Sequence, residues 1–532
     1  MGRSGIVWLQ RYFRGRPPQL ARNLVCISYL IVAALTISWA FAGWSYDDPF
    51  ITYRYAANLV HGLGFVYNTG ERVLSTTTPL FAMMLALCAV VSANLPHMAE
   101  LIGAISLVAA AYCLWDMSYV LGHPLVGWIA LLLYPTFSLL LNTLGSEMPF
   151  YLAVCVAAFA CNARRRYAYS ACFAALATLT RPDGVLVLAV LAGYHLLSRK
   201  IDVGRFTKAR VLFWRPALIY ISITAVWFLF AWAYFGTLLP ATLAAKQAQG
   251  MMPASQGYLA GLNTILMQYL PGSIWLAIGF ALIGLIYGDV RRNPLLLISA
   301  WAALFFTGYA TIGVSRYFWY YAPLAPGFII AAGLGIEAVS TLFLRGARRI
   351  LAVRMCKGLV GIRVWPTGHV GKSHTQTTLG AGRVSIVVSA CCASVILLGQ
   401  LGRDIELMKT GDDRIGIYRA AGEWLQAYTD PDSTVAALEI GVIGYYSQRT
   451  IIDFAGLIQP AVARQLAIAG TYEDTAIWVM DHYNPDFLVL RENTFPRLEQ
   501  ALVLKQCVSV QTFPGVRYGY DANVQIYRCH PA

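Results

Sequence analysis

The sequence predicts a polytopic α-helical membrane protein followed by a C-terminal α/β domain outside the bilayer. Three observations predict it. Of the 532 residues, 58% are hydrophobic and 12% charged, about half the charged share of soluble domains, roughly 25%. Apolar runs of about fifteen to twenty-five residues, the range of lengths that spans a hydrocarbon core at its upper end, recur through the first 400 positions. The charge is also split. Residues 1–402 hold 29 of the 40 Lys and Arg but 10 of the 26 Asp and Glu, a net of +19, whereas 403–532 hold 11 and 16, a net of −5. Such a composition excludes a disordered chain, a small disulfide scaffold and a fully soluble enzyme. The basic residues sit in short connectors rather than on one folded face, which argues against a nucleic-acid partner.

The apolar runs fall at 24–44, 79–93, 99–121, 123–141, 148–162, 168–180, 184–198, 216–235, 272–287, 294–313, 317–344 and 384–401. Arg3, Arg11, Arg14, Arg16 and Arg22 precede the first run without an acid, so the positive-inside bias holds the N-terminus in the cytoplasm. That run is too long, and too poorly followed by small residues, for a removable signal peptide. The basic triplet 164–166, the stretch 199–215, the pair 291–292 and the loop 345–383 read as further cytoplasmic connectors. With the N-terminus they hold 24 of the 40 basic residues. The alternate connectors, among them 45–78 and 236–271, then lie outside, as does everything after 402. Twelve runs cannot carry a chain from inside to outside. Eleven spans are expected, or thirteen if a run is split, with 79–93 (about 22 Å as a helix) dipping in or lying flat.

The outer face is nearly free of charge, and the few charges there are Asp47, Asp48, Arg54, Glu71, Arg72, Glu147, Arg181, Asp183, Lys246 and Arg316. Ionisable groups near a membrane are costly and mark functional sites or anchored helix ends. The densest stretch runs from Tyr46 through Asp47, Asp48 and Pro49 to Val60. After Pro49, apolar and aromatic residues at 50, 53, 56, 59 and 60 form a helical stripe suited to the lipid interface. A glycine-rich loop follows, then Glu71-Arg72 and the helix entry Thr76-Thr77-Thr78-Pro79. An acidic pair held at the membrane surface suits chemistry on a lipid-borne substrate.

The stretch DDPFITYRYAANLVHGLGFVYNTGERV (47–73) resembles the first outer loop of polyprenyl-phosphate-dependent membrane glycosyltransferases of the GT-C fold, and within them the arabinofuranosyltransferase B-like group. GSEMPFYL (145–152), LTRPDGVLVL (179–188), LLPATLAAK (238–246), SRYFWYYAPL (315–324), EIGVIGYYSQRTIIDFAGL (439–457) and YNPDFLVL (483–490) extend the resemblance along most of the chain. It departs at Ser75-Thr76-Thr77-Thr78, where a Gly-aromatic pair is expected, and at Ala241, where Asn is expected.

The resemblance implies a GT-C transmembrane catalytic domain (1–402, first outer loop 45–78) and an extracytoplasmic α/β domain (403–532) in a bacterial cell membrane. Its partners are a polyprenyl-phosphate-linked sugar donor, a glycan or lipid acceptor and membrane lipid. Arabinofuranose as the sugar follows from the resemblance alone. Attack by an acceptor hydroxyl expels a phosphate monoester, so a general base matters more than a general acid, and cations must neutralise the departing phosphate. Asp47 or Asp48 is the expected base, with Arg316, Lys246 and Arg181 as donor phosphate ligands. Arg54, Tyr55, Glu71, Arg72, Glu147 and Asp183 are acceptor or supporting residues. The paired carboxylates suit a divalent cation such as Mg²⁺, yet no metal or other cofactor is assigned, because Arg and Lys serve a monophosphate leaving group.

Other motifs lack context. Val370-Gly371-Lys372-Ser373 ends like a P-loop, but its first glycine falls at Pro366 and no strand–loop–helix surrounds it. The 8 histidines form no HExxH or His/Cys cluster. Cys88, Cys113, Cys155, Cys161 and Cys172 read as apolar packing residues.

In the tail, 413–428 reads as an amphipathic helix with Ile417, Ala421, Trp424 and Leu425 on one face. Residues 435–438, 450–452 and 487–490 read as strands, with helices near 460–469 and 473–482 and an edge pair from 502–510 and 524–528. Gly441 and Gly444 have no third glycine for a dinucleotide site. Cys507 and Cys529, the only cysteines of this half, fit either a disulfide or two unpaired strand thiols. The tail suits covering the membrane cavity, holding a glycan on aromatic faces, or stabilising the fold.

Two other functions compete. A lipid or polyol transporter or flippase is favoured only by Glu100 and Asp116 in the third run; internal repeats and midplane charges are missing. A scaffold displaying its tail leaves the double aspartate without a purpose.

Overall fold

The computed structural model describes residues 18–199, 206–288, 293–358, 373–409, 411–504 and 506–529. The N-terminal arginines before Arg22, the pair 291–292 and the glycine–lysine motif at 370–372 lie outside the described residues.

Every apolar run falls on helix, though not at the lengths expected. Leu20–Ala40, Leu95–Val120, Trp214–Phe235, Phe318–Phe343 and a stretch within Ile386–Tyr428 are long and apolar enough to cross a membrane. Among the described residues, seven more apolar helices have 10–17 residues, about 15–25 Å against a hydrocarbon core of about 30 Å. Prolines explain several short starts. Pro79, Pro124 and Pro149 sit in the first turns of Pro79–Cys88, Pro124–Leu133 and Met148–Ala163, where the missing N–H costs nothing. Pro79–Cys88 buries Phe81, Ala82 and Leu85. The run at 123–141 breaks after Leu133 and resumes as Ser138–Leu141. The run at 317–344 begins with two 3₁₀ turns, Phe318–Tyr320 and Ala322–Leu324, before Ala325–Gly358. This irregular aromatic segment becomes cavity wall.

The helix Asp47–Val60 forms where the stripe predicted it, with Phe50, Tyr53 and Ala56 buried. It does not lie open to lipid. Arg54 and Tyr55 are buried too, while Leu59 and Val60 are exposed. The middle of the helix is covered because a tail helix, Ile440–Ser447, packs on it, with Phe50 and Tyr53 meeting Tyr445 at ring centroids 5.6 and 6.1 Å apart.

The tail is a mixed sheet of β1 (Thr434–Ala437), β2 (Thr450–Asp453), β3 (Phe487–Arg491), β4 (Val508–Phe513) and β5 (Val524–Arg528). The order is β2-β1-β3-β5-β4, parallel across β2-β1-β3 and antiparallel thereafter. The apolar strands β1 and β3 occupy the centre, as their near-continuous burial requires. Helices Arg414–Tyr428, Pro460–Ala469 and Tyr472–Tyr483 match the sequence pattern. Ile440–Ser447 and Pro496–Leu504 were not expected, and the latter takes the first residues of the run at 502–510. Cys507 and Cys529 are joined in a disulfide that ties the start of β4 to the end of β5.

Candidate active site

Asp47 and Asp48 are adjacent, yet the first turn of their helix sends them to different surroundings. The Asp47 carboxyl accepts hydrogen bonds from the Gly441 N–H (2.9 Å) and the Val442 N–H (2.8 Å), the unsatisfied donors at the start of the tail helix. Burial and the nearby Glu439 push it up to about 8, against the pull of the Val442 N–H and Arg414. Asp48 instead stays one-third exposed, its Oδ2 3.4 Å from the Lys246 Nζ.

Two cavities meet at that pair. A polar one of about 520 Å³ lies between the tail and the ends of the helices that face it. Trp44, Gln249, Gln268, Tyr269, Arg414 and Glu439 are among its lining residues. A more apolar one of about 390 Å³ runs beside it, lined by Ile51, Leu186, Leu239, Leu243 and Ile312 and by the serine–threonine run 75–78. Tyr46, Asp48, Lys246, Trp319 and Leu457 line both. Lys246 lies over the Tyr317 ring, 4.0 Å from its centroid. Burial pulls its ammonium down, but the Asp48 carboxylate and the surrounding tyrosines outweigh this and hold it well above the ordinary lysine range. The junction therefore carries a fixed positive charge beside an accessible carboxylate.

The apolar cavity has a second charged group. Buried Arg181 donates to Glu147 (2.7 Å), to Asp183 (3.0 Å) and to the Tyr309 hydroxyl (3.0 Å), and that hydroxyl donates to Asp183 at 2.6 Å. Gly184 makes this turn possible, because a Cβ there would lie 2.3 Å from the Ala177 carbonyl carbon.

The other sequence-predicted site residues lie away from the junction. Arg316 lines neither cavity; its stem packs on Gly261, where a Cβ would stand 2.3 Å from the Arg316 Cβ. Arg54 is buried and donates to the carbonyls of Tyr67 (2.8 Å), Gly444 (2.7 Å) and Arg449 (2.5 Å). Tyr55 hydrogen-bonds Ser75 at 2.6 Å. Glu71 accepts from Asn68 at 3.1 Å, and Arg72 lies over the Tyr234 ring at 4.7 Å.

Sequence reasoning allowed the tail to cover the cavity but named none of the tail residues that line it. Glu439 holds Arg414 at 2.9 Å, and Arg414 also holds Asp412. Asp453, fully buried, accepts from the Ala455 and Leu457 N–H groups and so shapes the loop that reaches the cavities. Its carboxyl is pushed by burial up to about 7. The signal for these residues was only their place inside 439–457, with nothing to say that this segment folds onto the first loop. Among the described residues, no group of three or more His, Cys, Asp and Glu is arranged to hold a metal ion.

The charges suggestive of transport have local partners. Asp116 pairs with Arg164, and Glu100 accepts from the Gly43 N–H at 3.2 Å and meets His97 at 3.4 Å.

Residues 409–527 match the family model described as "Domain of unknown function (DUF8728)". No curated protein matches the chain. Among solved structures, ArnT from Cupriavidus metallidurans in the apo state is similar with a TM-score of 0.61 at 14% identity, over 96% of this chain and 100% of that one. The same protein bound to undecaprenyl phosphate gives 0.59 at 13%, over 95% and 99%. The apo Archaeoglobus fulgidus oligosaccharyltransferase gives 0.53 at 14%, over 88% and 69%. At these identities the likeness speaks to the fold, and it agrees with the helices and the loop described above: this chain has the GT-C fold.

Proposed function

We propose that the protein is a membrane glycosyltransferase that moves a sugar from a polyprenyl-phosphate donor to a glycan or lipid acceptor at the outer face of a bacterial cell membrane. The observation that carries this reading is the junction itself: an accessible carboxylate and a charged lysine where an apolar cavity opens into a polar one. The polyprenyl chain lies in the apolar cavity, with the phosphate toward Lys246 and Arg181. The acceptor hydroxyl enters from the polar side. Asp48 takes its proton as the oxygen attacks the anomeric carbon, the bond from that carbon to the phosphate oxygen breaks, and Lys246 stabilises the released polyprenyl phosphate. Residues 1–402 supply this membrane part, and 403–532 face the same outer side as the loop 45–78.

The binding of undecaprenyl phosphate by the fold neighbour ArnT supports a lipid-phosphate donor, and the motifs around 47–73 support an arabinofuranosyl group as the first sugar to try. Purified protein supplied with radiolabelled polyprenyl-phosphate sugars should label an acceptor. Asp48→Asn should lower turnover by about 10² to 10⁴ with the fold intact. Wild-type turnover in that variant would remove Asp48 from the chemistry.

A further inference from the structure

The eight-residue tail helix Ile440–Ser447 is gripped at both ends by the helix that carries the two aspartates. Asp47 takes the first free N–H groups, and Arg54 donates to the Gly444 and Arg449 carbonyls at the other end. The Asp47 carboxyl oxygens accept from the free N–H groups at the amino end, and the Arg54 guanidinium at the carboxyl end complements the helix dipole. The spacing fits as well. Asp47 and Arg54 are seven residues apart, about 10 Å along their own axis, the same rise as from Ile440 to Ser447.

Around this grip the two segments interlock without slack. Tyr67 donates to the Ile440 carbonyl at 2.6 Å, and the Asn68 amide both donates to and accepts from the Ile451 backbone, at 2.8 and 3.0 Å. Asp47, Arg54, Tyr67 and Asn68 are all buried. Glycines make the approach possible. A Cβ at Gly441 would stand 1.9 Å from the Asp47 carbonyl oxygen, and one at Gly444 would stand 1.9 Å from the Tyr67 hydroxyl. The same contact brings Glu439 and Ile440 to the polar cavity, which Asp47 also lines, and leaves Asp48, next in the chain, where both cavities meet.

We infer that Asp47 and Arg54 are positioning residues, which clamp the tail helix and thereby fix Asp48 where the two cavities meet. The double aspartate is thus divided: Asp48 acts on the acceptor, and Asp47 holds the platform. The tail becomes a working wall of the site. This rests on the transferase reading for its catalytic half, while the grip itself can be judged without it.

The test uses the full-length protein in lipid nanodiscs. Amide exchange across 440–447 is measured beside kcat, KM and the pH profile of kcat for Asp47→Ala, Asp47→Asn, Arg54→Lys and Asp48→Asn. Asp47→Ala should speed exchange at Gly441 and Val442 about tenfold and lower kcat by about 10² through misplacement, with the acid limb of the pH profile unmoved. Asp47→Asn keeps an acceptor oxygen, a good helix cap, and should recover most of both. Arg54→Lys should loosen the carboxyl end of the helix and leave exchange in β1 and β3 unchanged, which shows that the tail still folds. Asp48→Asn should lower kcat by about 10² to 10⁴ with normal exchange. If Asp47→Asn proves as inactive as Asp48→Asn with exchange unchanged, Asp47 belongs to the chemistry and the division of labour is overturned. A loosened helix with full kcat would overturn the positioning role. No transfer by the wild-type protein from any donor would sink the transferase reading, while the exchange data would still decide whether the grip exists.

Discussion

Neighbouring carboxyls meet different partners here because a helix turns by about 100° per residue. Asp47 faces Glu439 and Arg414 across the domain contact, with Asp48 beside it on its own helix and Tyr67 nearby. Its docked value of about 8 stands above the ordinary 3.8, so the docked form takes up the proton more readily than a free carboxyl. Its contribution to docking is therefore fully present below about pH 4 and is lost as pH rises toward and through about 8. Protection of the 440–447 amides in the wild type, corrected for intrinsic exchange, should be greater at pH 6 than at pH 9. Asp47→Asn should flatten that difference, and an unchanged slope in the variant would assign it to another group. The protonated carboxyl still accepts hydrogen bonds, so the cap survives at the lower pH.

Among the elements, the sheet of the tail shows how much local pattern reveals. Strands β1, β2 and β3 coincide with the short apolar runs, because each is buried over most of its length, and the two helices between β2 and β3 fall where the pattern put them. The short helix Ile440–Ser447 escaped notice. Its two glycines look unfavourable for helix in isolation, and they are explained only by the backbone and side chains pressed against them. The disulfide closes a loop of 22 residues in sequence separation around the edge strand β4. Restricting the unfolded chain over such a loop contributes about 3 kcal/mol. Replacing Cys507 and Cys529 by Ser should lower the stability of the tail by about that amount in denaturant melts followed in the full chain, and the sheet edge should lose amide protection first. Equal midpoints with and without reductant would show that the bond adds nothing.

At the scale of the whole molecule, the proposed orientation sets the first loop and the tail on one side and the triplet 164–166 on the other. Arg165 and Asp432 are both exposed, so each tolerates a reporter cysteine. In intact cells an impermeant thiol reagent should modify a cysteine at 432 and spare one at 165; the reverse result would invert the topology. The twelve apolar runs, the basic connectors, the amphipathic helix after Pro49 and the alternating tail elements are all properties of short stretches, governed by hydropathy and periodicity, and the sequence alone determined them. So was the narrowing of interest to the few charges in the connectors between the basic ones. Only the tertiary structure decided which charges meet. It brought Lys246 to Asp48 across 198 positions, placed Arg316 off both cavities, and set Arg54, an acceptor or supporting candidate, against the Gly444 and Arg449 carbonyls. The physical reason is range. Burial and helix formation depend on residues a few places apart, whereas the partner of a charge depends on which distant segment folds against it, and no periodicity in this chain encodes the meeting of residues 47–68 with 439–451.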